Sequence, residues 1–143
     1  MVTTRVATDD DIDFLVMADY MSTGSAEYAG SLPDRLKSGD TQGFVMEGDD
    51  GTLLTVNVTK ADTVCFWNGF YGRSKYGLKR KSKIFIDFVL QWLHDNSWPT
   101  QGYVQIRMSN PQFPSLVKLY ESLGFREESL NMILEISDGK CTQ

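Results

Sequence analysis

Cysteine, histidine and proline are scarce in this chain of 143 residues, which contains two, one and four of them respectively. Cys65 lies in an apolar run and Cys141 in a polar tail, and neither belongs to a Cys-x-x-Cys pair. With His94 as the lone histidine there is no cluster with zinc-ligand spacing, so no metal is expected. The count excludes a disulfide-rich scaffold, leaves one Cys65–Cys141 bridge open, and points to a reducing, cytoplasmic setting. The N-terminus lacks a basic segment followed by an apolar one, and no apolar run approaches the length of a membrane span. A soluble chain without membrane partners is therefore expected. There is no internal repeat and no low-complexity linker, which predicts one domain over residues 1–143.

Acids are missing from one stretch in particular, since none lies between Asp62 and Asp87. Six of the fourteen basic residues fall in positions 73–83, while the remainder of the chain carries a net charge of −11. A compact cationic site on an acidic body suits a small anion better than a long duplex, which needs a broad basic face. The pattern predicts a long helix beginning where this run ends. A helix N-terminus already carries partial positive charge, so cations stacked there make sense if a phosphate or another anion sits among them. A solvated loop whose lysines face water is the plain alternative.

Hydrophobic content of 41% with 12% aromatics is ordinary for a globular protein. Arg5–Thr8 reads as a short first strand. Thr8 and Asp9 offer N-cap chemistry for a helix through Met21, broken at Ser22–Ser25, and Pro33–Ser38 reads as a second helix ending at Gly39. Three strands follow at Gly43–Glu47, Leu53–Val58 and Thr63–Tyr71, forming an antiparallel meander with turns at Gly48–Gly51 and Ala61-Asp62. The long helix is expected over Ser82–Asn96. Its polar stripe is Asp87, Gln91, His94 and Asp95, and nearly everything else is apolar, which predicts burial on more than one side. Tyr103–Met108 alternates as a strand, Ser115–Leu123 is helical, and Phe125–Ile136 ends the chain as a strand. The predicted class is α/β with a mixed sheet, its 63–109 crossover joining parallel strands.

The segment Leu119-Tyr120-Glu121-Ser122-Leu123-Gly124-Phe125, placed after those elements, resembles the C-terminal signature of the GCN5-related N-acetyltransferases (the GNAT superfamily). The element order is also similar, so the resemblance covers most of the chain. It implies the GNAT-like fold, a mixed and mostly antiparallel sheet flanked by helices, with acetyl-CoA as co-substrate. In that family a Gln/Arg-x-x-Gly-x-Gly/Ala loop before the long helix wraps the coenzyme's pyrophosphate. Matching the helices puts this loop on Gly77–Ser82: Ser82 stands at the last small position, Arg80 replaces the central glycine and Gly77 the leading polar residue. Glycines there let phosphates approach backbone N–H groups, so cationic side chains would have to substitute.

The resemblance implies a site. Lys79, Arg80, Lys81, Ser82 and Lys83 would hold the diphosphate. Backbone N–H groups of Phe70, Tyr71 and Gly72 would bind the thioester oxygen. Tyr120 would protonate the leaving thiolate, against the alternative of a half-buried packing tyrosine. Asn110 would contact the coenzyme or cap the Pro111–Pro114 turn. Glu27 and Tyr28 would face an amine acceptor, a small molecule or a peptide, which the acidic body favours as a cation. Glu27, Asp62 and Glu47 stand unranked as the general base. His94 is expected to be exposed and Cys65 to be core, while Glu135 and Asp138 read as surface charge. A homodimer stays open as an assembly.

The chain is also similar, more loosely, to short GNAT-like proteins of T7-like bacteriophages, which carry a comparable Lys-Arg-Lys run. That likeness implies a second reading, a catalytically silent protein with a structural or host-interaction role. A third is nucleic-acid binding through Arg73–Lys83 with Trp67, Tyr71 and Tyr76 as stacking platforms, which the acidic remainder counts against.

Overall fold

The computed structural model describes residues 1–73, 78–99, 101–104, 113–126, 135–137 and 140–142. The chain opens with β1 (Thr3–Val6) and a 3-10 turn at Asp9–Asp11, followed by α1 (Ile12–Thr23), α2 (Ala26–Gly30) and α3 (Leu32–Ser38). The meander is β2 (Thr41–Gly48), β3 (Gly51–Ala61) and β4 (Val64–Gly72). After it come α4 (Leu78–Asp95), β5 (Gly102–Val104), α5 (Phe113–Ser122), β6 (Glu135–Ser137) and β7 (Lys140–Thr142). Five strands form one sheet in the order β1-β2-β3-β4-β5, antiparallel as far as β4 and parallel between β4 and β5. This is the mixed sheet expected from the sequence.

Local chemistry explains the helical layer. The Asp11 carboxylate accepts the Thr8 backbone N–H at 2.8 Å and binds Arg5 Nη1 at 2.7 Å, tying the helix entry to β1. Gly24, in the left-handed region at φ 69°, ends α1. Ser25 then caps α2, its Oγ accepting the Tyr28 N–H at 3.1 Å. The short α2 is absent from the sequence reading. Its Ala-Glu-Tyr-Ala-Gly run is too brief for periodicity to mark.

The two faces of the sheet bury different residues, as strand alternation requires. Phe44, Met46, Leu54, Val56, Val58, Cys65 and Trp67 pack against Phe85, Ile86, Val89 and Leu93 of α4. On the opposite face Leu15 and Leu32 pack on Val45. Burial of each of these large side chains stabilises the fold by about 2 kcal/mol.

Three differences from the sequence reading bear on the site. First, α4 starts at Leu78 rather than Ser82, so Arg80 and Lys81 lie inside its first turns. Second, Ile84 and Leu90 of α4 are exposed, so the helix buries one face instead of being wedged on several. Third, of the strand expected over Phe125–Ile136, Phe125 lies just past the end of α5, Glu135 and Ile136 belong to a β6–β7 hairpin, and residues 127–134 lie outside the described residues. Asn110, Tyr76, residues 105–108 and the segment 127–134 lie outside the described residues, as do the side chains of Glu135 and Cys141 and all of Asp138. Among the described residues no helix is long and apolar enough to cross a membrane.

Candidate active site

Strand β4 carries an irregularity that organises the site. The β3–β4 register pairs Thr55 with Tyr71 but Asn57 with Asn68, leaving β4 one residue over. Gly69, at φ 66°, and Phe70 occupy this bulge, and Thr55 Oγ1 donates to the Gly69 carbonyl at 3.2 Å. A side chain at Gly69 would meet the Asn57 amide at 3.0 Å and the Asp19 backbone nitrogen at 3.3 Å, so glycine is required for conformation and for space.

The bulge reverses the strand's alternation. Before it, Cys65 and Trp67 face α4, while Phe66 and Asn68 face the α1–α2 side. After it, Phe70 turns to the α4 side, where it packs with Phe85 and Tyr120, and Tyr71 meets Phe14 of α1. Phe70-Tyr71-Gly72, the segment expected to bind a thioester oxygen, thus begins where β4 changes face.

Tyr120 is buried on α5. Its ring stands edge-on to Phe70 at 5.7 Å and to Phe125 at 5.2 Å between centroids. Burial pushes its phenol well above the ordinary tyrosine value, which keeps the hydroxyl protonated as a donor. Gly124, at φ 100°, ends the helix, and the Phe125 N–H returns to the Tyr120 carbonyl at 3.0 Å. This closure is the structural content of the Leu-Gly-Phe signature.

At the start of α4 the expected anion-binding residues separate. Ser82 is fully buried, and its Oγ has no hydrogen-bond partner among the described residues. Arg80 is exposed and Lys81 half-buried. Lys83 is paired along the helix with Asp87 at 3.0 Å. The backbone of Lys79 belongs to the first turn of α4, and its side chain lies outside the described residues. A helix start with its first N–H groups unused by the helix, a buried hydroxyl and two nearby cations has the donor chemistry for a diphosphate.

On the α1–α2 side a cavity of about 310 Å³ is lined by Thr23, Ser25, Tyr28, Thr59, Phe66, Asn68 and Tyr103. Tyr28 is thus in the cavity, its hydroxyl accepting from Asn68 Nδ2 at 3.3 Å. Glu27 is exposed and is not among these residues. The other candidate bases are also elsewhere: Glu47 binds Arg5 near the β1 edge, and Asp62 sits in the β3–β4 turn at φ 60°. Sequence reasoning missed Asp19, which is fully buried on α1 with Oδ2 at 3.0 Å from Arg35 Nη2. Burial raises the Asp19 carboxyl above its usual value, and Arg35 opposes the shift. The signal was present as an acid at a position of the α1 apolar pattern, but its partner lies sixteen residues on.

His94 is exposed, as expected. Cys65 is core, its thiol donating to the Pro99 carbonyl at 2.9 Å and pushed up by burial, so it is inert as a nucleophile. Trp67 is buried under Phe125, which removes it as a base-stacking platform.

No family model and no curated protein matches the chain. Solved structures do match, over nearly its whole length. The aminoglycoside 6'-N-acetyltransferase of Acinetobacter baumannii superposes with a TM-score of 0.72 at 9% identity, covering 97% of this chain and 100% of that one. A predicted acetyltransferase from Clostridium acetobutylicum, solved with acetyl-CoA, gives 0.67 at 12% identity, covering 95% and 97%. The spermidine N-acetyltransferase of Vibrio cholerae, solved with CoA and spermine, gives 0.62 at 17% identity, covering 90% and 82%. The fold is that of the GCN5-related N-acetyltransferases.

Proposed function

We propose that this chain is an N-acetyltransferase of the GCN5-related superfamily, moving the acetyl group of acetyl-CoA to a primary amine. The observation that carries the reading is the Gly69–Phe70 bulge packed against Tyr120. It sets the end of a β4 strand whose backbone changes direction beside a buried, protonated phenol. Structures of the same fold solved with acetyl-CoA or CoA support the co-substrate.

Acetyl-CoA supplies an activated acyl group as a thioester. The chain's own groups do the rest. The start of α4, with Ser82, Arg80, Lys81 and the Lys79 backbone, binds the diphosphate. Backbone N–H groups of Phe70, Tyr71 and Gly72 donate to the carbonyl oxygen as it gains negative charge, a contribution worth about 10²–10³ in rate per donor. The acceptor amine forms the new C–N bond as the C–S bond breaks, and its nitrogen releases a proton to solvent water. Tyr120 donates its proton to the departing sulfur and recovers one from solvent.

One observation favours the alternative of a silent protein with a structural or host-interaction role. Arg80 stands inside helix α4 at the position where the family's loop has a glycine for phosphate approach. A calorimetric titration with acetyl-CoA tests both readings, repeated on the triple variant Lys79→Ala, Arg80→Ala, Lys81→Ala. Micromolar binding weakened about tenfold or more in the variant, with thiol release in the presence of amines, supports the enzyme. Absence of binding in both proteins leaves the silent reading.

A further inference from the structure

We infer that Tyr28 selects the acceptor, as a cavity wall locked by Arg35 and Asp19, and that the acceptor bears an uncharged aromatic or apolar group beside its amine. The inference deepens the acetyltransferase reading and rests on it for the reaction, though not for binding.

Four contacts immobilise Tyr28. The Arg35 guanidinium carbon lies 4.0 Å from the ring centroid, covering one face of the ring. Arg35 Nη2 and Ser31 Oγ both donate to the Tyr28 carbonyl, at 2.9 and 2.6 Å. The Tyr28 hydroxyl is held by Asn68. Arg35 is itself fixed, with Nε on Ser31 Oγ at 3.0 Å and Nη2 on the buried Asp19 carboxylate at 3.0 Å. Asp19 and Arg35 are therefore positioning residues: they hold the aromatic wall and neutralise each other behind it.

Among the described residues, the wall faces a cavity lined by uncharged side chains. Besides Tyr28, its rings are Phe66 and Tyr103, whose centroids are 6.2 Å apart and tilted by 34°. The hydroxyls of Thr23, Ser25 and Thr59 on its lining are neutral, and each is already hydrogen-bonded within the protein. A flat or branched apolar group fills such a space with favourable ring contacts. A polycation entering it gives up hydration and meets, among the described residues, only uncharged groups in exchange. Nor does the Tyr28 ring suit a second cation, because Arg35 already occupies its other face.

The test compares 2-phenylethylamine with spermidine on the full chain. Binding is read by calorimetry in the absence of acetyl-CoA, and turnover by thiol release in its presence. The expected result is binding of 2-phenylethylamine about tenfold or more tighter than spermidine, with kcat/KM following the same order. Tyr28→Ala should raise KM for 2-phenylethylamine about tenfold with kcat nearly unchanged, and Tyr28→Phe should restore most of it. Arg35→Lys keeps a cation for Asp19 but loses the fork, and should raise KM with acetyl-CoA affinity unchanged. Tighter binding of spermidine, no binding of 2-phenylethylamine, or a Tyr28→Ala protein that binds it as the parent does, overturns the inference. Binding of 2-phenylethylamine without any acetyl-CoA binding upholds the inference and removes the enzyme reading instead.

Discussion

Phe70 and Tyr120 meet edge-on, their ring centroids 5.7 Å apart and their planes at 62°, and this contact exists because β4 has changed face one residue earlier. Without the extra residue in β4, Phe70 would point to the α1–α2 side with Phe66 and Asn68. The strand bulge and the helix-end signature thus form one unit. The two residues are distant in sequence, and only packing joins them.

Replacing Tyr120 by Phe keeps the ring contacts and removes the donor. Thiol release should fall about 10²-fold, with acetyl-CoA affinity and thermal stability nearly unchanged. The parent's phenol is raised by burial, so it binds its proton to higher pH in the folded state than in the unfolded one. Its contribution to stability is therefore complete below about pH 10 and is lost as the pH rises beyond that value. Thermal melts from about pH 7 to about pH 11 check the direction, and Tyr120→Phe should flatten the alkaline fall.

Gly69→Ala places a side chain at φ 66° against the Asn57 amide and the α1 backbone. It should cost about 1–2 kcal/mol in urea denaturation. Because the same change re-aims the end of β4, acetyl transfer should fall further than the stability loss explains, measured well below the melting temperature.

Gly102 lies in β5 directly over the Trp67 indole, and a Cβ there would overlap Trp67 Nε1. Gly102→Ala should destabilise the fold by about 1–3 kcal/mol, the usual cost of overpacking. A shift in tryptophan emission alongside the lowered urea midpoint would report the displaced indole.

Arg35→Ala leaves the Asp19 carboxylate fully buried without its cation. The loss should be about 3 kcal/mol at neutral pH. Burial already raises the Asp19 carboxyl, and removing Arg35 takes away the principal opposing influence. The folded variant then holds a proton at pH values where its unfolded chain has released it, so its stability relative to the parent improves as the pH falls from about 7 towards about 4. Urea midpoints at both pH values test the sign.

Much of the architecture was legible in order along the chain. The meander, the long helix, the Gly39 stop and the Leu119–Phe125 helix end all rest on local features: alternation, capping residues and left-handed glycines. Tyr28 was also reachable, since the break after α1 marked its segment as a loop region. Glu27, its neighbour, points elsewhere because adjacent helical residues project about 100° apart. The bulge at Gly69 left no such mark. A lone glycine in a strand is compatible with several backbone paths, and the register of β3 against β4 selects among them.

The amino-acid order by itself determined which segments became strands and helices, because those choices depend on neighbours within a few positions. It also concentrated positive charge at the start of α4. Tertiary structure alone decided that Asp19 lies beneath Arg35, that Tyr28 becomes a cavity wall, and that Phe70 crosses to Tyr120. Those relations join residues distant along the chain, and only close packing of the sheet between its two helical layers brings them within reach.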